Sequence, residues 1–442
     1  MPGPRLLLDL APLRQSRDFR FLIGGQLAAV LGTQLTAVAV PVQVYRLTHS
    51  SLDVGLVSLA QLFPLMIFSL IGGSVIDAVD RRRLLIIVES LMALSSAALA
   101  LNADIGPQLW PLFIFPAVTA GLSGFDGPAR NAVIPNLVGQ RNVASAAAMF
   151  QALFQVGSIV GPALGGILLA GPGLVFVYWL DVASCVVAAL TISAVAAQPP
   201  KVRGHRVGLA SIIEGLRYLK GRQGIQGAYV IDINAMVFGM PRALFPSLAL
   251  NVFGGGASTV GFLFAAPGVG ALIGALTTGW VTRIRRQGRA VIVAVMVWGA
   301  AIAGFGLVSS LPVALILLAV AGWADVISAV FRNTIIQLST PNRLLGRLSG
   351  IQIAVVAGGP RLGDLESGAV ATAFGNEVSV VSGGLACIVG ALVLARLLPD
   401  FRRLQVSPEK AAQIEAEDAA MLAADAGKSG AGARSGAGAV AS

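Results

Sequence analysis

The chain has 442 residues, of which 56% are hydrophobic and 12% are charged. Soluble proteins carry about twice that share of charged residues, so the composition excludes an ordinary soluble domain. The formal net charge of +10 would suit a nucleic-acid-binding protein, but the positions of the charges, described below, exclude nucleic acid as a partner.

Twelve stretches of the chain are apolar and long enough to cross a bilayer, which takes roughly 20 residues each. They lie at about 20–44, 53–76, 84–102, 108–127, 143–170, 173–195, 224–250, 257–281, 290–309, 312–331, 347–373 and 377–398. The sequence therefore predicts an all-α membrane protein with twelve transmembrane helices.

Positive charge is distributed unevenly between the two sides of these predicted helices. Of the 31 Lys and Arg residues, 28 fall in the two tails and the even-numbered loops, while Arg46 lies on the other side and Arg242 and Arg361 lie within the bilayer. Basic loops stay in the cytoplasm. We therefore expect a multi-pass protein of the bacterial inner membrane with both termini cytoplasmic.

The predicted helices form two sets of six, separated by a basic loop. We expect a cytoplasmic amphipathic lead-in at 1–19, a first half at 20–195, a linker at 196–223, a second half at 224–399, and a cytoplasmic, disordered or partly helical tail at 400–442. Within the linker, residues 209–220 have the pattern of a short helix on the membrane surface.

The two halves repeat one another. An Arg-Asn pair at 130–131, which we place after helix 4, recurs at 332–333 after helix 10, and the Gly-Pro pattern of 157–166 recurs in weaker form at 359–364. Such repeats are typical of transporters that bind substrate at mid-depth between two pseudo-symmetric halves. Cys185 and Cys387, in helices 6 and 12, are predicted to be small apolar fillers.

The loop between helices 2 and 3 resembles the loop signature of the major facilitator superfamily. The matching positions are Gly73, Asp77, Arg81 and Arg82. Ala78 stands where the family has a base, and Asp80 stands where it has Gly. Helix 5 carries the superfamily's antiporter signature, which is typical of exporters, at Gly157, Gly161, Pro162, Gly165 and Gly166.

Shorter segments narrow the resemblance, among them 38–44, 48–56, 261–266, 270–279 and 340–350. They are similar to a subfamily that exports siderophores of the enterobactin type and to related drug/proton antiporters. The resemblance runs from about residue 5 to residue 400. It implies the twelve-helix major facilitator fold and export of a small organic molecule, and it does not identify that molecule.

The resemblance also implies roles for both signatures. Asp77, with Arg81, would hold the two halves together on the cytoplasmic side, either through arginines or by capping the start of helix 11. The glycines of helix 5 are predicted to line one face against the small residues of helix 8. The seam between these two helices would then serve as a hinge and a seal between the halves. The alternatives are a cluster that only sets orientation, and ordinary close packing.

Several ionisable residues fall inside predicted helices, where a charge costs ~3 to over 10 kcal/mol without a partner or water. In this superfamily helices 1, 4, 7 and 10 line the cavity, so Asp325 and then Asp232 are our candidates for a protonatable site. The other candidates for the proton or substrate site are Arg242, Arg361, Asp364 and Glu366. Arg361 and Asp364 are three residues apart and are predicted to pair.

Four further charges are interpreted as structural. Asp126 and Arg130 lie near the cytoplasmic end of helix 4, where Pro128 interrupts the apolar pattern, and we assign them a structural or gating role. Glu89 and Asp181, on helices 3 and 6, are expected on the outside of the bundle.

The prediction is a secondary transporter that exchanges protons for a small-molecule substrate by alternating access, acts as a monomer in the bilayer, and needs no cofactor or metal. One charge crossing 100 mV is worth ~2.3 kcal/mol, enough to couple export to proton entry. No phosphate-binding loop is present in the sequence, which argues against direct use of ATP. An importer or a proton-independent facilitator of the same fold remains open, and an intramembrane enzyme or a sensor is disfavoured.

Overall fold

The computed structural model describes residues 9–199, 215–406, 409 and 412–416. Twelve long helices follow one another: α1 (Arg17–Thr48), α2 (Ser51–Ala78), α3 (Arg81–Ile105), α4 (Trp110–Val138), α5 (Val143–Ala170), α6 (Leu174–Ser193), α7 (Gln223–Phe238), α8 (Ala257–Leu276), α9 (Gln287–Leu307), α10 (Leu311–Leu338), α11 (Asn342–Phe374) and α12 (Asn376–Leu397). The predicted all-α architecture is confirmed.

Ten of the described helices are long and apolar enough to cross a membrane. The two that fall short of that measure, α4 and α11, are 29 and 33 residues long and carry charged residues in their middle turns. Both are packed inside the bundle against other spanning helices, where buried polar groups find partners. Residues 215–219 of the linker and the described tail residues 409 and 412–416 are helical, while half of the predicted surface helix, residues 209–214, lies outside the described residues.

Two helices extend further than their predicted ends. Helix α4 continues through Pro128 and Pro135 to Val138, and α10 continues to Leu338. The prediction that Pro128 interrupts helix 4 was therefore wrong, because neighbouring helices can satisfy the backbone group that a proline frees. As a result, Arg130 and Arg332 lie inside helices rather than in cytoplasmic loops.

The packing of the first half is repeated in the second. Helices α2 and α4 pack together as α8 and α10 do, α3 and α6 as α9 and α12, and α1 and α5 as α7 and α11. Two helix pairs join the halves, α2 with α11 and α5 with α8. These pairs exchange under the pseudo-twofold relation between the halves, as a duplicated chain requires.

Helix α7 is broken before it completes its crossing. It ends at Phe238, and the chain resumes with a tight turn at Arg242–Leu244 and a short helix at Phe245–Asn251. Trp298 of α9 donates a hydrogen bond of 2.9 Å from Nε1 to the carbonyl of Gly239, which the break leaves without a helical partner. Breaks of this kind line binding cavities in transporters.

Candidate transport site

Helices α7 and α10 bring three charged side chains together in the second half. The guanidinium of Arg332 lies 2.9 Å from the carboxylate of Asp232 and 3.9 Å from that of Asp325. Arg332 also donates a bond of 2.6 Å to the hydroxyl of Ser328. Asp232 is fully buried, whereas the side chain of Asp325 is 32% exposed. The two carboxylates proposed from the sequence thus share one arginine.

The first half holds a similar cluster between α3 and α4. Nε of Arg130 lies 2.8 and 2.9 Å from the two carboxylate oxygens of Asp126, and its terminal nitrogen contacts Glu89. Glu89 is 1% exposed, so the expectation that it lies on the outside of the bundle was wrong. A buried carboxylate needs a partner, and α3 turns Glu89 towards α4, where Arg130 provides one.

The two clusters occupy equivalent positions in the repeat. Four residues before Arg130 stands Asp126, and four residues before Arg332 stands Ser328, each accepting a hydrogen bond from its arginine. In the second cluster a serine replaces that carboxylate, and the two carboxylates are those of Asp232 in α7 and Asp325 in α10. Each cluster therefore combines two carboxylates with one guanidinium, an arrangement that carries one excess negative charge unless one carboxyl group holds a proton.

A third charged group lies beside the break in α7. Asp364 of α11 is 3.6 Å from Arg242 and accepts a hydrogen bond of 2.6 Å from Ser58 of α2. The predicted pairing of Arg361 with Asp364 was wrong, because Arg361 instead donates to the carbonyl of Ala357, one turn earlier in α11.

This group is open on one side. The side chain of Arg242 is 38% exposed, Arg361 is half-buried, and the group combines two guanidiniums with one carboxylate. Glu366, also a candidate, is half-exposed and makes no hydrogen bond or ion pair with another described residue.

Asp181 of α6 was also expected to face outwards, and it does not. It is buried between α1, α3 and α6 and accepts hydrogen bonds from the hydroxyls of Thr36 and Ser96. Helix α6 packs against both α1 and α3, so a polar side chain on its inner face needs partners from those helices. The hydroxyls supply them.

The loop signature lies where α2 meets α3. Asp77 is 3.7 Å from Arg81 in the same half, and the side chain of Asp77 is 42% exposed. Among the described residues Asp77 has no partner in the second half, and the first backbone N–H of α11, that of Asn342, binds Glu415 of the tail. The predicted connection to the second half is thus not made in this conformation.

Asp80 and Arg82 have local roles in the same loop. Asp80 accepts a bond of 3.1 Å from the backbone N–H of Arg83, which caps α3, and another of 3.2 Å from the backbone of Gln198. Arg82 donates to the carbonyl of Ser193 at the end of α6. Where the superfamily has Gly, this chain therefore uses Asp80 to hold the linker and start a helix.

The antiporter signature of α5 has two faces rather than the one that was predicted. A Cβ added to Gly157, Gly161 or Gly165 would meet α1, whereas one added to Gly166 would lie 2.7 Å from Cα of Gly261 in α8. Positions four apart share a helical face, so 157, 161 and 165 form one stripe and 162 and 166 form another. Pro162 and Gly166 alone make the close approach to the second half.

The backbones of the two halves come closest at one end of the seam between them. We call the end with the 2–3 loop and the linker the basic end, and the opposite end, with residues 49–50 and 375, the far end. At the far end a Cβ on Gly55 or Gly368 would collide with the backbone of the facing helix. Near the basic end a Cβ on Gly73, Gly346 or Gly350 would meet nothing within 4 Å in the described part of the chain. The conformation is therefore open at the basic end.

Arg130 and Arg332 are the residues that the sequence reasoning did not place. Arg130 was assigned to the cytoplasmic end of helix 4 and Arg332 to the segment after helix 10, because the predicted apolar stretches ended at 127 and 331. Both are now buried inside helices, with three carboxylates within 3 Å between them. The signal that could have identified them is their repetition at equivalent positions of the two halves.

Comparisons with known proteins agree with this architecture. The family model described as transmembrane secretion effector matches residues 8–428. The protein named Enterobactin exporter EntS from Citrobacter koseri is 28% identical over 403 residues, which cover 91% of this chain and 97% of that protein. Its namesake from Shigella boydii is 28% identical over 413 residues, covering 93% and 98%.

Solved structures show the same fold at low sequence identity. A bacterial homologue of the human lysosomal transporter Spinster, in an inward-facing and unoccupied conformation, superposes with a TM-score of 0.66 at 16% identity, covering 89% of this chain and 100% of the other. The nucleoside transporter NupG gives 0.68 at 12% identity, covering 88% and 100%.

Proposed function

Because this chain belongs to the transmembrane secretion effector family of the major facilitator superfamily, we propose that it exports a small organic molecule in exchange for protons. Its relatives named enterobactin exporters support a siderophore of that type as the substrate, with drug-like molecules as the alternative. Its basic loops support an orientation in which the basic end faces the cytoplasm of a bacterial cell. The conformation described above then presents the cavity to the cytoplasm.

The observation that carries proton coupling is that one guanidinium, that of Arg332, faces two carboxylates. Asp325 is partly exposed and Asp232 is enclosed, so Asp325 is the group that exchanges a proton with cavity water. With Asp325 protonated, Arg332 and Asp232 balance each other and the cluster is neutral. With Asp325 ionised, the cluster has one excess negative charge, which is costly in a low-dielectric site unless the cavity stays hydrated.

This charge difference supplies the coupling. A cluster without excess charge tolerates closure of the cavity around it, and an ionised cluster favours the open, hydrated state. A proton taken up from the outside therefore lets the empty transporter return to the inward-open conformation. Substrate binding and proton release at that side complete the exchange.

Arg242 and Arg361 supply the recognition of substrate in this proposal. They lie beside the break in α7, Arg242 is partly exposed, and only one carboxylate, Asp364, accompanies the two guanidiniums. An excess guanidinium facing a cavity favours an acidic or phenolate oxygen on the ligand. Substitution of Arg242 by Gln should raise the KM for an acidic catecholate siderophore and leave that for a cationic dye unchanged. Equal changes for both probes would refute this role.

The test of export is uptake by everted membrane vesicles, in which the basic end faces the medium. We expect a labelled catecholate siderophore to accumulate inside under an acid-inside pH gradient and to leak out when an ionophore collapses the gradient. Accumulation that does not respond to the gradient would indicate a facilitator. Proton-driven accumulation in right-side-out vesicles alone would indicate an importer.

Two matched variants assign the coupling site. Asp325→Asn should abolish the proton-driven accumulation of substrate against its concentration gradient. Movement of substrate down its own concentration gradient should continue. Asp104→Asn changes an exposed carboxylate at the far end of α3 and should behave as the wild type. Wild-type coupling in Asp325→Asn would remove that residue from the mechanism.

A further inference from the structure

Among the residues that the structure describes, one buried carboxylate has no cationic partner. Glu89, Asp126, Asp232, Asp325 and Asp364 each lie within 4 Å of an arginine. Asp181 is 4% exposed, and no described Arg, Lys or His side chain comes within that distance of it. An ionised carboxylate without a partner is costly to bury in a membrane helix. Its surroundings therefore indicate which form of the acid the fold accommodates.

The two oxygens of Asp181 differ in the donors that they meet. The hydroxyls of Thr36 and Ser96 donate to Oδ2 at 2.7 and 2.5 Å. The hydroxyl of Ser184 has a single hydrogen and two acceptors within reach, the backbone carbonyl of Asp181 at 2.8 Å and Oδ1 at 3.3 Å, and the shorter distance favours the carbonyl. The remaining neighbour of Oδ1 is the weakly donating thiol of Cys185, at 3.9 Å.

A proton on Oδ1 completes this network. The protonated Oδ1 would donate to the free lone pair of the Ser184 hydroxyl, which continues to donate to the backbone carbonyl. Oδ2 keeps its two donors from Thr36 and Ser96. Every polar atom then has a partner and no net charge is buried. The distances are those of direct hydrogen bonds, so no metal ion lies between these oxygens.

The ionisable groups that face Asp181 add no positive charge. Glu89 of α3, close enough to interact electrostatically, contributes a negative charge, and Tyr178 and Cys185 flank Asp181 on its own helix. Helix α1 faces the site with Gly32 and Thr36, neither of which is ionisable. The nearby Arg130 is engaged by Glu89 and Asp126. Nothing at this site balances an ionised Asp181.

The site is mechanically connected to the seam between the halves. A Cβ on Gly32 of α1 would strike the carboxylate of Asp181 and the hydroxyl of Ser184, so α1 closes directly over the acid. On another face of α1, Gln34 and Leu35 pack against Gly161 and Gly165 of α5. Helix α5 also contacts α8 of the second half. A movement of α5 against α8 is therefore transmitted directly to α1, the helix that covers Asp181.

We propose that Asp181 is a second proton-binding site, separate from the Arg332 cluster, which holds a proton in the substrate-free conformation with the basic end open and releases it towards that end when substrate binding shifts α1. On release, the Oδ1–H bond breaks and the proton passes to water. Ser184 then turns its hydrogen from the backbone carbonyl to the ionised Oδ1. As a site of coupling this rests on the proton exchange proposed above, but occupancy by a proton can be measured without transport.

The direct test is infrared spectroscopy of the purified full-length protein as pH is varied. Near neutral pH the carbonyl band of buried protonated carboxyl groups should lose one component in Asp181→Asn relative to the wild type, while any contribution from Asp325 or Glu89 should stay. Asparagine suits the site, because its carbonyl accepts from Thr36 and Ser96 and its amide donates to Ser184. Asp104→Asn is the control and should keep the band. A band unchanged in Asp181→Asn, or one titrated away by sodium ions, would overturn the proposal.

The second test asks whether the proton moves with transport. In everted vesicles with a gradient of one pH unit, each coupled proton contributes about tenfold to the accumulation of substrate. Asp181→Asn should therefore lower the accumulation ratio of a labelled catecholate siderophore by about that factor. An unchanged ratio would make Asp181 a structural acid and refute the proposal. If the wild type shows no gradient dependence while the band behaves as expected, the exporter mechanism fails and Asp181 remains a proton site.

Discussion

The two ends of the seam between the halves differ in how closely the helices approach. At the far end Gly166 and Gly261 bring α5 and α8 into backbone contact, and Gly55 and Gly368 do the same for α2 and α11. At the basic end, glycines on the same helices face open space. Helices α2 and α11 thus touch at the far end and are separated at the basic end. The antiporter signature of α5 lies towards the far end, and the loop signature lies at the basic end.

The two ends of the seam therefore have different roles. The far-end contacts stabilise the present conformation, and the basic-end residues are available for a contact in the other conformation. The far end is held by backbone contact and by hydrogen bonds such as that from Tyr45 to Ser247. The basic end carries Asp77 and Arg81, which contact each other and leave the second half free. We infer that the equilibrium between conformations is set by loss of the far-end contacts against gain of a basic-end contact. Changes at either end should shift it in opposite directions.

A reporter for this equilibrium is available at the far end. Ala257 is buried at the start of α8, and its carbonyl faces Gly166. The native Cys185 and Cys387 are buried, so an impermeant maleimide should label Ala257→Cys selectively when the far end opens. The labelling rate of Ala257→Cys therefore reports how often the far end opens.

The largest effect is expected from Gly261→Val. A Cβ at Gly261 would lie 2.5 Å from the carbonyl oxygen of Pro162 and 2.6 Å from Cα of Gly166, and backbone cannot yield as a side chain can. A cost of about 3 kcal/mol to the closed far end shifts the equilibrium more than about 100-fold. We expect fast labelling of Ala257→Cys and loss of transport.

The matched control for that change is Gly279→Ala, at a position just past α8 where a Cβ meets nothing within 4 Å in the described part of the chain. It should leave labelling and transport near the wild-type level. Slow labelling in Gly261→Val would contradict the seam as the contact that holds this conformation.

The next largest effect is expected from Asp364→Asn. The bond from Ser58 to Asp364 joins α2 to α11, and a hydrogen bond to a charged acceptor is worth about 1.5–3 kcal/mol. Removal of the charge also leaves Arg242 without its carboxylate. Labelling of Ala257→Cys should rise roughly 10-fold or more, by the same energy. Ser58→Ala, which removes the donor and keeps the ion pair, should give a smaller rise in labelling. No change in either variant would show that this bond does not hold the far end.

The sequence predicted the helices and the duplication well, because both depend on local apolar pattern. It placed helix ends poorly where charge entered that pattern, as at Arg130 and Arg332, because the pattern cannot show that a partner on another helix neutralises the charge. The partner of Asp364 was missed for the same reason. Arg361 is near in sequence, but Arg242 comes within reach only because α7 breaks. The two faces of the α5 signature likewise depend on which helix packs on each side.

A smaller, opposite effect is expected from Asp77→Asn. The exposed contact between Asp77 and Arg81 is worth about 0–1 kcal/mol, so the stability of the present conformation should not change. The predicted role of Asp77 lies in the other conformation, where loss of a contact worth about 1.4 kcal/mol would slow transport about tenfold. Labelling of Ala257→Cys should fall, since closure of the basic end becomes harder. Transport at the wild-type rate with unchanged labelling would show that Asp77 does not hold the two halves together at the basic end.

The smallest effect is expected from Tyr45→Phe at the far end. Tyr45 donates a bond of 3.0 Å to Ser247 and accepts one of 2.9 Å from Asn251, so its hydroxyl ties α1 to the chain beyond the break in α7. Tyr45→Phe removes both bonds, but Asn251 keeps its bond of 3.2 Å to Ser247, so we expect a net cost of about 0.5–1.5 kcal/mol. Asn376 still holds Ser247 at 2.6 Å, but it lies in the same half and cannot replace the link between halves. Labelling of Ala257→Cys should therefore rise a few-fold and add to the effect of Asp364→Asn, because the two bonds share no partner. A rise equal to that of Gly261→Val would mean that polar contacts, rather than backbone approach, close the far end.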